Sequence, residues 1–179
     1  WSYSPKEKRR ALSTITGAAL VGLLSARNAG VEVPQKAIDK GLALFTKYQA
    51  GSGRIGYMGP SDDSRHGRTA LGLLCFHLAR KKDHTTARKA AVALRSIQYK
   101  LSSSTHDWYG LYYTPQALFQ ENMPAFEKWN KRNIKSLKAS QLGNGAWNVI
   151  SGKPTLSTCV ALLSLAMNYR ILPIYERQE

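Results

Sequence analysis

The chain has 179 residues, of which 43% are hydrophobic, and this length and composition suit one domain, residues 1–179, with a buried core. Its 26 Lys and Arg residues against 11 Asp and Glu give a formal net charge of +15, which raises nucleic acid or an acidic membrane surface as partners. The longest nearly uninterrupted apolar stretch, Leu156 to Met167, is shorter than the roughly 18 residues that cross a bilayer. We therefore expect no membrane span.

Apolar runs alternate along the chain with amphipathic runs whose polar face is basic. In chain order, the apolar run 16–24 is followed by the amphipathic run 34–49, the apolar run 69–78, the amphipathic run 85–98, the apolar run 114–120, the amphipathic run 124–141 and the apolar run 158–167. Each apolar run opens with a threonine that is followed four residues later by leucine. The spacing of apolar residues predicts helices, with the apolar runs inside and the amphipathic runs outside. No stretch sustains the alternation of a strand, so the predicted fold class is all-α.

Each amphipathic run ends in a glutamine, namely Gln49, Gln98 or Gln141, and a long connection rich in glycine and aromatic residues follows. The most compact of these connections is "QLGNGAW", from Gln141 to Trp147. We expect the glutamine to bond backbone groups, the glycines to reverse the chain, and the aromatic ring to cover the gap between adjacent helix pairs. The connections at the other helix ends are short, which places all long connections on one rim.

The two cysteines, Cys75 and Cys159, stand among apolar helical neighbours, so both are expected to be buried free thiols. The chain begins with Trp1 and has no initiator methionine and no signal-like run, which suggests that it is cut from a longer protein.

The stretch from Leu137 to Trp147 resembles the glutamine-tryptophan repeat of the terpenoid cyclase and protein prenyltransferase superfamily, the prenyltransferase and squalene oxidase repeat. The segment "WYGLYYTPQALFQENMPAFEKWN" and the later "YRILPIY" are similar to the carboxy-terminal part of such domains in large, uncharacterised bacterial proteins. The resemblance covers the chain from about Thr14 onward.

The resemblance implies an α/α toroid, in which two nested layers of helices close into a ring. This chain would supply about three and a half helical hairpins, with the others preceding Trp1. The implied partners are other domains of the same longer chain, a hydrophobic or glycan ligand in the toroid cavity, and a second copy meeting the open edge.

The chemistry of the family does not carry over to this sequence. The cyclase acid motif Asp-x-Asp-Asp-Thr-Ala would head an inner helix, but Thr69-Ala70 follows His66-Gly67-Arg68, and Asp62-Asp63 lie further upstream. Neither cysteine stands in the Asp-x-Cys pattern of the prenyltransferase zinc site, and the thioester motif is absent. We predict no metal site and no cofactor.

The candidate functional residues lie in the long connections, because loops on a rigid scaffold often carry binding groups. The weak catalytic candidates are Asp62, Asp63 and His66, since Asp63 and His66 could exchange protons beside Arg65 and Arg68. The predicted binding rim consists of Tyr57, Arg65, His106, Asp107, Trp108, Tyr109 and Trp147. The alternative for the Asp62 segment is ordinary capping of the following helix.

Three functions remain open at this point. The first is a binding or interaction module without catalysis, and the second is an enzyme acting on an isoprenoid or a glycan, with its site completed by missing hairpins. The third is polyanion binding through the basic outer helices. Nucleic acid is disfavoured because no recognised nucleic-acid motif occurs.

Overall fold

The structure is a computed structural model that describes residues 1–4, 11–63, 65–96, 105–148 and 152–169, with only the backbone for 105–107. All regular structure in these residues is helical, which confirms the all-α prediction. The elements are α1 Ser13–Asn28, α2 Gln35–Tyr48, α3 Gly67–Leu78, α4 Thr85–Arg95, α5 Thr105–Glu121, α6 Met123–Ser140, α7 Pro154–Ala166 and a 3₁₀ turn at Met167–Tyr169. A lone antiparallel bridge joins Gln49 and Ile55.

The odd-numbered helices form one layer and the even-numbered helices lie on its outside. Along the inner layer α1 contacts α3, α3 contacts α5, and α5 contacts α7. Each of α2, α4 and α6 packs on the inner helix before it, and α2 and α4 also touch the inner helix that follows. The alternation of apolar and amphipathic runs therefore corresponds to a physical alternation of inner and outer helices.

Helix α3 is the centre of the core, because every one of its residues is buried. Gly17 lets α1 approach α3 closely, since a Cβ atom at this position would lie only 2.2 Å from Cδ2 of Leu71. The outer helix α2 buries a stripe of Ile38, Leu42 and Phe45. Its lysines, like the other basic residues of the outer helices, are exposed.

Helix α7 departs from the sequence prediction. Leu156, Leu162 and Leu163 are exposed on it, because among the described elements its main contacts are with α5. The prediction that Cys159 is buried is wrong for the same reason: its thiol lies on the exposed side of α7. Cys75 is buried as expected, and burial raises the pKa of its thiol.

Two connections between outer and inner helices share one geometry, and we call them the Gln49 corner (residues 49–55) and the Gln141 corner (residues 141–147). The side-chain amide of each glutamine donates to the carbonyl oxygen four residues on, at Gly53 and Gly145, over 2.9 Å in both cases. Both glycines have positive φ angles, 86° and 84°, which disfavour other residues. The glutamines therefore close the turn itself.

Each corner is fixed to the next inner helix by the repeated threonine. The backbone N–H of Ile55 donates to Oγ1 of Thr69 over 3.0 Å, and the N–H of Trp147 donates to Oγ1 of Thr158 over 3.0 Å. The indole N–H of Trp147 also donates to the carbonyl of Leu137 at 2.9 Å, so Trp147 is bonded to α6 through its ring and to α7 through its backbone. This contact confirms the expected place of the tryptophan between helix pairs.

The third apolar run behaves differently from the sequence prediction. Helix α5 begins at Thr105, so Thr114 lies in its interior and does not open it. Gln98, the glutamine of the connection before α5, lies outside the described residues.

Candidate functional site

A pocket of about 340 Å³ lies where the loop before α3 meets α1 and α5, and we call it the rim pocket. It is lined by Tyr3, Thr14, Tyr57, Arg65, Gly67, Arg68 and Tyr109. Its volume is at the small end of the range for ligand sites, and its mixture of aromatic walls with a few polar groups is typical of them.

Hydrogen bonds to two neighbouring helices hold the loop that follows the Gln49 corner and carries Tyr57. The carbonyl of Tyr57 accepts a hydrogen bond from the N–H of Ser13 at the start of α1, over 3.0 Å. Two residues before Tyr57, the carbonyl of Ile55 accepts a hydrogen bond from Nε of Arg68 at 3.3 Å. The loop is thereby tied to α1 and α3, and Tyr57 is placed between these helices.

Asp62 and Asp63 are engaged in holding the loop. Arg54 donates to the carbonyls of both residues, at 3.0 and 3.1 Å, and the Asp62 carboxylate accepts from the hydroxyl of Ser52. Asp63 forms an ion pair with the buried Arg68 and accepts from the backbone N–H of Arg65 at 3.0 Å. The two carboxylates therefore stabilise the loop, but they do not cap α3 as the alternative expected, because the N-terminus of α3 has no side-chain cap.

The ion pair also sets the protonation of Asp63. Partial burial opposes ionisation, but Arg68 and the N–H of Arg65 outweigh it and hold the pKa of Asp63 below its ordinary value. A carboxyl group with a lowered pKa is a poor proton donor or acceptor near neutral pH. The expected proton exchange between Asp63 and His66 is therefore disfavoured.

Two buried hydroxyl groups at the rim pocket, those of Tyr109 and Thr14, make no hydrogen bond of good geometry among the described residues. Each lies near one other hydroxyl, since Thr14 faces Tyr57 and Tyr109 faces Tyr113. An unsatisfied buried polar group costs about 1–3 kcal/mol. Such a group in a pocket wall is suited to bonding a ligand.

Tyr57 and Tyr109 keep their hydroxyl protons at neutral pH, because their pKa values are raised. Burial raises the pKa of Tyr109 above its ordinary value, and the neighbouring Tyr113 raises it further. Burial likewise raises the pKa of Tyr57, with Tyr3 adding to the effect. Both groups can donate hydrogen bonds as well as accept them.

His66 lies at the start of α3 with its imidazole ring against the backbone of α5. A Cβ atom on Gly110 would lie 2.7 Å from Nε2 of His66, so the glycine makes room for the ring. Gly67 in turn makes room for the backbone of α5, because a Cβ atom at this position would lie 2.9 Å from the backbone nitrogen of Gly110. Two glycines thus let the N-terminal end of α3 contact α5 closely beside the pocket.

The predicted rim divides into residues at the pocket and residues away from it. Tyr57, Arg65 and Tyr109 line the pocket together. Trp108 and Trp147 are only 1% and 4% exposed, so their placement on an accessible rim is wrong: both rings pack in the core. The side chains of His106 and Asp107 lie outside the described residues.

Sequence reasoning missed Tyr3 and Thr14 as pocket residues. Both lie near the start of the chain, far in sequence from the long connections, and the contact of α1 with α3 brings Thr14 there. The signal that could have found Thr14 is its position one helical turn before the apolar face of α1.

A second polar cluster lies away from the pocket. Glu121 at the end of α5 contacts Nε2 of the buried His77 at 2.9 Å and the guanidinium of Arg95 at 3.0 Å. The hydrogen bond from His77 is the main cause that lowers the pKa of Glu121, and Arg95 adds to it. The cluster joins α3, α4 and α5.

In the described part of the chain no three His, Cys, Asp or Glu residues are grouped as a metal site would require. None of the described helices is long and apolar enough to cross a membrane. Comparison with protein-family models, curated protein sequences and solved structures finds no match to this chain.

Proposed function

We propose that this chain is a binding module of the α/α-toroid type within a larger protein, and that its rim pocket binds a small acidic glycan unit. The observation that carries the proposal is the pair of buried hydroxyls of Thr14 and Tyr109, which make no hydrogen bond of good geometry in the free protein. A hydroxyl-rich ligand satisfies such groups, whereas an isoprenoid chain would leave them unsatisfied.

The electrostatic surroundings favour an anionic ligand. Arg65 is exposed and lines the pocket, and the chain carries a formal net charge of +15. Arg68 is already paired with Asp63, so Arg65 is the pocket cation best placed to meet a carboxylate. Aromatic walls of Tyr3 and Tyr57 supply the apolar surface that a sugar ring needs.

The toroid part of the proposal rests on the layered helices and their corners. An inner layer in which each helix contacts the next, together with outer helices joined by glutamine corners, agrees with the resemblance of the Gln141 corner to the glutamine-tryptophan repeat. A binding function is favoured over catalysis because Asp63, the acid in the strongest catalytic candidate pair, is paired with Arg68.

The test is titration of the chain with neutral and uronic-acid oligosaccharides, followed by NMR. We expect uronic-acid oligosaccharides to bind, and Tyr109→Phe to weaken the binding about 2- to 10-fold, which is the value of one hydrogen bond. Because the Tyr109 hydroxyl makes no hydrogen bond of good geometry in the free protein and has only the Tyr113 hydroxyl near it, this variant should unfold at nearly the same free energy as the native chain.

Arg88→Ala, on the exposed face of α4, is the matched control and should bind normally. Absence of binding across the panel, or equal affinity of the Tyr109→Phe variant, contradicts the proposal. Binding that is lost in Arg88→Ala and falls steeply with salt would instead indicate polyanion binding by the outer helices.

A further inference from the structure

A groove of about 500 Å³ runs along the free side of α2, and we call it the α2 groove. Its floor is formed by Ala37, Lys40, Gly41 and Leu44 of α2, and Trp1 and Thr16 close one side. Ala37 and Leu44 are partly exposed there.

The same surface exists one repeat further along the chain, where it is covered. The buried residues Ile38, Leu42 and Phe45 of α2 correspond in order and spacing to Ala87, Ala91 and Leu94 of α4. In this register Ala37, Lys40 and Leu44 correspond to Thr86, Lys89 and Ala93. Thr86 and Ala93 are only 2% and 5% exposed.

The Gln49 corner is what covers this surface on α4. The side-chain amide of Gln49 donates to the carbonyl of Thr86 over 2.9 Å. Gly53 lies so close to α4 that a Cβ atom on it would be 2.3 Å from the carbonyl oxygen of Lys89. The groove on α2 therefore has the shape that receives a glutamine-glycine corner.

Trp1 occupies the position at which such a corner ends. Its nitrogen donates to Oγ1 of Thr16 over 3.0 Å, as the N–H groups of Ile55 and Trp147 donate to Thr69 and Thr158. Ile55 and Trp147 each follow the corner glutamine by six residues. The register thus fixes both the place and the direction of the chain that would fill the groove.

We infer that the α2 groove is the docking site for a helix that ends in a Gln-x-x-x-Gly-x corner, with the last residue of that corner beside Trp1. Its glutamine bonds the carbonyl of Ala37, and its glycine contacts the carbonyl of Lys40. The Gln141 corner of a second copy is excluded as occupant, because it leads into α7, which would need the place of α1. The inference rests on the repeat register and is independent of the rim pocket.

The experiment grafts a corner onto the full chain. A copy of residues 35–54, which contain α2 and the Gln49 corner, is joined in front of Trp1 in a Cys159→Ser, Ala37→Cys background. The corner should cover the new thiol, so its rate of labelling by a soluble thiol reagent should fall about tenfold or more. The matched control graft carries Gln49→Ala and Gly53→Val in the grafted copy and should leave the labelling rate unchanged.

An Arg88→Cys thiol on the exposed face of α4 reports on non-specific shielding and should react at one rate in all versions. A second graft, residues 123–146 with α6 and most of the Gln141 corner, replaces the first if circular dichroism shows that the first unfolds the host. Undiminished labelling of Ala37→Cys in a folded graft overturns the inference. Equal protection by the intact and the control graft overturns it too.

Discussion

Glu121 illustrates how much a single side chain can stabilise this fold. Its carboxylate has one oxygen on His77 and the other on Arg95, and it is 19% exposed. These contacts lower its pKa, so it contributes stability above its unfolded pKa of about 4.3 and loses that contribution as pH falls through the lowered value.

We predict that Glu121→Gln lowers the free energy of unfolding at pH 7 by about 1.5–3 kcal/mol, the range for hydrogen bonds to a charged group. The difference from the native chain should shrink towards zero as the pH is lowered below about 4. Urea unfolding at a series of pH values measures it. Glu127→Gln, at an exposed position of α6, should change stability by less than about 0.5 kcal/mol throughout. A pH-independent loss at Glu121 would contradict the assignment.

Single residues were predicted well where their own neighbours in sequence decide their role. Cys75 was expected in the core from its apolar helical neighbours, and it is fully buried there. The meeting of the Thr14 and Tyr109 hydroxyls at the rim pocket could not be predicted, because it depends on the packing of α1, α5 and the loop before α3.

At the scale of elements, the corners are where sequence and structure agree most closely. The two glutamines nevertheless differ in what they bond. Gln49 is part-buried and bonds both its own turn and Thr86 on α4, whereas Gln141 is exposed and, among the described residues, bonds its own turn alone. The pair is a natural measure of what docking on an outer helix adds.

Gln49→Ala should therefore lower the free energy of unfolding by about 1–3 kcal/mol, because it leaves the Thr86 carbonyl without its side-chain partner. Gln141→Ala should cost about 1 kcal/mol or less, since water can replace its one exposed bond. Chemical denaturation of both variants beside the native chain gives the comparison. Equal losses would show that the bond to α4 adds nothing.

Element prediction failed at α7 for a definable reason. A run such as 158–167 has no polar face, so its pattern indicates burial on all sides. Burial also requires neighbours, and α7 contacts chiefly α5 among the described helices. The apolar pattern indicates that α7 requires neighbours on all sides, but it does not show which neighbours the fold provides.

For the whole molecule, the two-layer order of helices implies a gradient of local stability. Helix α3 is enclosed by α1, α4 and α5 and is buried along its length, whereas α7 lies at the edge of the inner layer. We predict that backbone amides of α3 exchange with solvent most slowly and those of α7 markedly faster. Hydrogen exchange followed by mass spectrometry measures this order. Protection of α7 equal to that of α3 would mean that α7 is covered in solution.

The fold class of the whole molecule followed from helical periodicity and the lack of strand patterns, and the structure confirms it. Closure into a ring could not be worked out from periodicity, because it depends on helices at both edges. The toroid therefore remains part of the proposed function.

The threonine bonds of the corners have one more consequence. Oγ1 of Thr69 accepts a hydrogen bond from the backbone N–H fourteen residues before it. Oγ1 of Thr158 accepts the same bond from the N–H only eleven residues before it. The hydrogen bond between the corner and the threonine therefore forms with connections of different length. We therefore expect insertions and deletions between residues 56 and 66 to alter the loop that carries Tyr57 while the helices keep their registration.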